Sequence, residues 1–293
     1  MNDYLIKKAQ EKAYSRTDEM KKIETLPMPK NLTQIKLSRM EERELEKIAP
    51  STGYEDLDKI IKGFVPGHLY TATGVENIGK TSLACNFAVR VAKQEKKVLY
   101  FALEPENTVI EYIASVYHDK CFPDLTEEDL DLNNLSIDVF GKEAVPTIEK
   151  LVEIIETFDR YDLVIIDHIG YFINSQNNHL QQQSNTVKIL AGLAKKKQTA
   201  ILLIAHLRKR SKGEKRNYTP TSDDISGSGA FKQDSTEVMI LTRNLKSEEE
   251  DEFTYSPYGK LYVTKTKSGP NGAIEIYFSD RKANIVSQGE GKK

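Results

Sequence analysis

The chain has 293 residues, 39% hydrophobic and 29% charged, with a formal net charge of −2. That is the composition of an ordinary globular protein. It excludes a polycation that coats polyanions indiscriminately but leaves room for a local basic groove. Two cysteines, Cys85 and Cys121, with no C-x-x-C pair argue against a zinc ribbon or a disulfide framework and suit a reduced cytoplasmic setting. No apolar run is long enough for a bilayer, and the charged N-terminus lacks the apolar stretch of a signal peptide, so a soluble protein with no membrane partner is expected.

Residues 1–48 are rich in Lys and Glu, and Pro27 and Pro29 divide them into two helix-prone pieces. Leu26, Leu32, Ile35 and Leu37 are too sparse to bury a core. Two readings stay open: a solvated tail, or an arm docked on a neighbouring subunit. From Thr52 short apolar runs alternate with amphipathic stretches. Strands are expected at His68–Thr73, Lys97–Ala102, Leu163–Asp167 and Ile201–Ala205. Helices are expected at Lys80–Lys93, Glu106–Tyr117, Thr147–Phe158 and Thr186–Lys197. This alternation predicts an α/β domain over residues 49–287, with a mainly parallel sheet flanked by helices. After Phe231 the rhythm becomes strand–strand, at Glu237–Thr242, Leu261–Thr266, Ala273–Phe278 and Ala283–Val286, which predicts C-terminal antiparallel strands. The acidic run Glu248–Glu252 reads as a solvated hairpin tip. Residues 288–293 read as a disordered tail.

Gly74-Val75-Glu76-Asn77-Ile78-Gly79-Lys80-Thr81 matches the P-loop pattern G-x-x-x-x-G-K-[ST], between an expected strand and an expected helix. Gly74 and Gly79 let the backbone turn so that successive N–H groups point at phosphates, and the helix N-terminus, opening through Lys80, Thr81 and Ser82, adds its dipole. Lys80 is expected on the β- and γ-phosphates of ATP and the Thr81 hydroxyl on Mg²⁺. Such a loop requires a carboxylate on a nearby strand for the metal. Asp167, ending the run Leu163–Asp167, fits, although a strand-end aspartate can also simply cap the next turn. Glu104 ends a second apolar strand and is the expected acceptor for the attacking water's proton, again with a cap as the alternative. Glu106 is expected to open the following helix. His206 ends a third strand and reads either as a γ-phosphate sensor or as a structural histidine.

Directly after His206, the run Leu207–Arg216 carries Arg208, Lys209, Arg210, Lys212, Lys215 and Arg216 against one acid, Glu214. A basic segment tied to the phosphate edge suggests backbone contacts to a polynucleotide. Gly227, Ser228 and Gly229, with Lys232 beyond, could bring backbone N–H groups to a single strand. The stretch from Tyr171 to the glutamines 181–183 reads as a flexible second loop. Few aromatics stand near these loops, so backbone tracking is expected and sequence-specific readout is not.

With these residues placed, the chain from about Ser51 to Val286 resembles the RecA-like ATPase domain of DnaB-family hexameric helicases. The P-loop, Leu103-Glu104, Ile166-Asp167 and Ala205-His206-Leu207-Arg208 fall in the family's order. So does Gly227-Ser228-Gly229-Ala230-Phe231-Lys232-Gln233, which with His206 looks closer to phage primase–helicases than to bacterial DnaB. The resemblance implies Glu104 as catalytic carboxylate, His206 as phosphate sensor, and the two loops lining a channel for single-stranded DNA. It implies a ring-forming ATP-driven translocase in DNA replication, a homo-oligomer that works with a separate primase, loader or polymerase. One departure stands out. Where the family commonly places K-x-R, its arginine reaching the neighbouring subunit's ATP, this chain has Lys265-Thr266-Lys267. Lysine lacks the planar fork, and Arg243 is a possible substitute. RecA-type recombinases use K-x-K, so a filament-forming recombinase or annealing ATPase is the alternative, with a clock-type signalling ATPase further off. Only the charged arm precedes the domain, so a stand-alone helicase core is expected, as some phages and plasmids encode.

Overall fold

Runs rich in β-branched and aromatic residues, those at its centre buried on both faces, become the strands of one sheet. They are β1 (Leu69–Gly74), β2 (Val98–Ala102), β3 (Ile137–Gly141), β4 (Leu163–Asp167), β5 (Ala200–His206), β6 (Glu237–Glu249), β7 (Glu252–Lys265), β8 (Gly272–Phe278) and β9 (Ile285–Ser287). The computed structural model describes residues 32–103, 106–158, 160–173, 179–206, 228–249, 252–279 and 283–287. Among these, nine strands lie in the order β3-β2-β4-β5-β1-β6-β7-β8-β9. The first six in that order run parallel, and β7, β8 and β9 add antiparallel ladders.

Period-two alternation sends successive side chains to opposite faces. Tyr70, Tyr100, Ile165 and Leu202 pack with the helices Glu55–Ile61, Lys80–Ala92 and Glu106–His118. Leu69, Leu99, Val164 and Ile201 pack with Ile148–Thr157 and His179–Lys197 on the other face. The helix Ile148–Thr157 starts where Thr147 Oγ1 accepts the Lys150 N–H at 3.2 Å, a side-chain N-cap. A polar latch holds the C-terminal strand to the helix that follows the P-loop. Asn86 Nδ2 donates to Ala283 O at 2.7 Å, Asn86 Oδ1 accepts from Ile285 N at 3.0 Å, and Arg90 donates to Ile285 O at 2.9 Å.

The parallel sheet, its helices and the antiparallel extension follow the sequence expectation, with three differences. β3 is absent from the expected strands: its residues are only half-buried, so its apolar pattern is weak. β6 joins the parallel part, pairing with β1 from Tyr70↔Glu237 to Thr73↔Ile240, before turning into the β6–β7 ladder. Gln181–Gln183, expected in a flexible loop, lie in the first turns of the helix His179–Lys197, with Gln183 buried. The tail 288–293 lies outside the described residues.

The chain divides into two units, Met1–Glu44 and Leu45–Lys293. The helix Leu32–Ile48 begins in the first, buries no residue, and leaves Leu32, Leu37 and Met40 exposed. Among the described residues no helix is long and apolar enough to cross a membrane.

Candidate active site

In a doubly covered parallel sheet the C-terminal strand ends lie along one edge, where ligands bind. β1 ends at Gly74 beside His206 of β5, and Ala102 of β2 stands beside Asp167 of β4. A cleft of about 630 Å³ opens over this edge, lined among others by Lys80, Thr81, Ser82, Asp167, His168 and His206.

The P-loop has the backbone its glycines require. Gly79 caps the helix Lys80–Ala92 with φ 104°, and an added Cβ would fall 2.6 Å from the Phe278 ring. At Gly74 an added Cβ would fall 2.8 Å from Ile78 Cγ2. Asn77 takes a left-handed φ of 59°, which asparagine tolerates. Ile78 is buried under the loop, while Glu76 and Asn77 are exposed and Val75 is half-buried. Lys80 is 8% exposed, and its Nζ donates to Val75 O at 2.8 Å, folding the ammonium over the loop.

Asp167 is 2% exposed, and its Oδ2 accepts a 2.8 Å hydrogen bond from the Tyr100 hydroxyl. A cis peptide bond joins Asp167 to His168. His168 Nδ1 accepts the Gly170 N–H at 2.9 Å, and its ring stands edge-on to His206 with centroids 4.3 Å apart. Asp167, His168 and His206 all line the cleft. Neither His168 nor Tyr100 stands out in the sequence. The signal for His168 is an aromatic imidazole immediately after a strand-end acid. For Tyr100 it is a phenol in a strand with no exposed face, which has to find a partner.

Glu104 lies outside the described residues. The chain leading to it is fixed: Leu103 N–H donates to Asp167 O at 2.8 Å, so β2 and β4 stay paired up to the preceding residue. Also outside the described residues are Arg208, Lys209, Arg210, Lys212, Lys215, Arg216 and Gly227. Ser228, Gly229 and Lys232 fall in a short helix, Ser228–Asp234, with Gly229 and Lys232 exposed.

Two side chains expected as bridges to a neighbouring subunit, Lys265 and Arg243, also make contacts within the chain. Lys265 Nζ donates to Lys232 O and Ser235 O, both at 2.5 Å, closing the C-terminal end of the helix that carries Lys232. Burial, and then the neighbouring Lys267 charge, pull its pKa down. Arg243 lies 4.1 Å over the Phe278 ring, and its Nε donates to Ser256 O at 2.7 Å. Its Nη1 reaches Ile78 O of the P-loop at 3.4 Å, so it braces its own loop instead of projecting away. Lys267, two residues beyond Lys265, is exposed.

Residues 50–116 and 114–287 match the family described as DnaB-like helicase C terminal domain. The replicative DNA helicase DnaB of Mycoplasma genitalium is 29% identical over 265 residues, covering 81% of this chain and 56% of that protein. The replicative DNA helicase DnaC of Bacillus subtilis is 24% identical over 247 residues, covering 78% and 54%. The chain thus spans about half the length of these relatives. Among solved structures, a DnaB-like replicative helicase, described with its interactions with primase, gives TM-score 0.73 at 17% identity over 94% of this chain and 71% of that one. A second solved structure, an isolated ATPase domain, superposes with TM-score 0.71 at 18% identity, covering 88% of this chain and 99% of that one. The RadB recombinase gives 0.56 at 18% identity over 81% and 98%, a likeness of fold alone. With its P-loop, strand-end aspartate and histidine placed along one sheet edge, this chain belongs to the DnaB-like helicase C-terminal domain family.

Proposed function

We propose that the chain is an ATP-driven motor that translocates on single-stranded DNA and unwinds duplexes at a replication fork. The observation that carries this reading is the convergence of Lys80, Thr81, Asp167 and His206 on one cleft in a chain of this family. Lys80 would exchange its bond to Val75 O for the β- and γ-phosphate oxygens, and the P-loop N–H groups would cradle the same phosphates. The donor set suits Mg²⁺: a hydroxyl at Thr81 and a carboxylate at Asp167 are hard oxygen donors, and phosphate oxygens and water complete such a site. There the ion supplies neutralisation of phosphate charge. Glu104 would take the attacking water's proton, and His206 would sense the γ-phosphate by a hydrogen bond.

Because β5 runs from the cleft into residues 207–216, a change at His206 is passed along the backbone to the basic segment. That segment, with the Gly227–Gly229 stretch and Lys232, would grip the DNA backbone. Lys267, which is exposed, would reach the subunit boundary of a ring, with Arg243 as the alternative and Lys265 beside them. The expected result is strand displacement from a forked duplex by the purified protein with ATP and Mg²⁺, none without ATP; failure of displacement under those conditions sinks the reading. The exposed apolar side chains on the helix Leu32–Ile48 suit a contact with another subunit. Deleting residues 1–45 should therefore shift the assembly toward monomer in sedimentation while nucleotide affinity changes less than about twofold. Full assembly of the truncated protein would contradict that role.

A further inference from the structure

Among the described residues, three tyrosines in the core have no exposed surface: Tyr54, Tyr70 and Tyr100. Each must place its hydroxyl on a partner, because a buried phenol without one is costly. Tyr54 donates to Ile285 O at 2.9 Å and Tyr70 to Gly63 O at 2.8 Å, both backbone carbonyls that serve folding. Tyr100 instead donates to a carboxylate oxygen of the cleft, Asp167 Oδ2, at 2.8 Å.

The direction of that bond follows from its partners: the phenol O–H donates, the carboxylate oxygen accepts, and both side chains are buried. Cys85 Sγ, a weak S–H donor, stands 3.9 Å from the phenol oxygen and 3.9 Å from Val109 O. Cys85 lies one turn beyond Thr81 on the helix after the P-loop. A line of contacts thus runs from the helix that carries Thr81, through Tyr100 of β2, to Asp167 of β4.

We infer that Tyr100 is a positioning residue that fixes the Asp167 carboxylate and so sets how tightly the site holds its divalent cation. The inference rests on the reading of Asp167 as a metal-side carboxylate. With Oδ2 committed to the phenol, rotation of the carboxylate plane is restricted before any ion arrives. Outer-shell partners of this kind typically change metal affinity by about 10–100-fold when removed.

The test is Tyr100→Phe, which removes only the hydroxyl. Mn²⁺ binding to the protein–ADP complex is measured by electron paramagnetic resonance, and ADP binding without metal by calorimetry. The expected result is a roughly 10–100-fold weaker Mn²⁺ affinity with metal-free ADP affinity within about twofold. Asp167→Asn and the double variant complete a cycle. If Tyr100 acts through Asp167, adding Tyr100→Phe to Asp167→Asn costs nothing more; an additive loss overturns the inference. An unchanged or tighter Mn²⁺ site in Tyr100→Phe, with Asp167→Asn weakened, also overturns it and leaves the nucleotide reading standing. No effect of Asp167→Asn removes both. Should Tyr100→Phe fail to fold, site-specific fluorotyrosine at position 100 keeps the shape and alters donor strength; Mn²⁺ affinity must then follow phenol acidity, and an unchanged affinity overturns the proposal.

Discussion

Glu104→Gln is expected to lower ATP turnover by about 10²–10⁴-fold, the range for losing a general base, while ATP binding changes less than about twofold. Glutamine keeps the shape of glutamate and can still hold a water by hydrogen bonding, but it cannot accept the proton that leaves when that water attacks. Binding is spared because it draws on other groups: the P-loop backbone, Lys80 and the helix N-terminus. The assignment follows the chain path. β2 stays paired with β4 through Leu103 N–H to Asp167 O at 2.8 Å, which delivers the next residue to the edge where Asp167 sits. Glu106 is the control. It opens the helix Glu106–His118, is exposed, and turns its carboxylate toward β3, where an added Cβ on Gly141 would fall 2.2 Å from Glu106 Oε2. Glu106→Gln should therefore leave turnover within about twofold. Phosphate release at saturating ATP and binding of a fluorescent ATP analogue separate the two effects. Unchanged turnover in Glu104→Gln would remove that residue from the chemistry.

What could be read in the sequence was what the sequence holds locally. The P-loop is eight consecutive residues whose glycines answer a backbone requirement, so Gly74 and Gly79 announced the turn that the φ of Gly79 and the close neighbours of both bear out. Asp167 and His206 were legible because each ends a run of buried residues, and strand ends in a parallel sheet share one edge. Pairings between distant segments carried no such signal. Tyr100 and Asp167 are 67 residues apart, and nothing in the run Val98–Ala102 distinguishes a phenol aimed at a carboxylate from one aimed at a carbonyl. Lys265 and Lys267 looked alike as a spaced pair of cations. Only the fold brings the carbonyls of Lys232 and Ser235 under Lys265 and leaves Lys267 exposed. The sequence offers Arg243 as a possible substitute finger, and only the β7 and β8 ladders show Ser256 and Phe278 beside it. β3 escaped notice because a half-buried edge strand shows little apolar alternation.

Single-stranded DNA affinity is expected to fall steeply with salt, with a log–log slope of roughly −3.5 if about five phosphates are neutralised. Between about 50 and 200 mM monovalent salt, that slope corresponds to a loss of roughly 100-fold. The charge responsible is concentrated. Residues 208–216 hold six cations and one acid in a chain whose net charge is −2, so whole-protein attraction cannot supply the effect. The segment also leaves directly from His206, which pairs in register with Gly74 at the start of the P-loop. On the proposed function, backbone gripping and phosphate sensing would share one strand end. Anisotropy of a labelled oligothymidylate, titrated at several salt concentrations with a non-hydrolysable ATP analogue, reads the slope. Replacing Lys209, Arg210 and Lys212 with Ala should flatten it by roughly 0.7 for each phosphate no longer neutralised. Slope and intercept then divide the explanations. A triple variant that binds weakly but keeps a slope of roughly −3.5 is impaired in something other than phosphate neutralisation, and a flat profile in the unmodified protein would take DNA gripping away from this segment altogether.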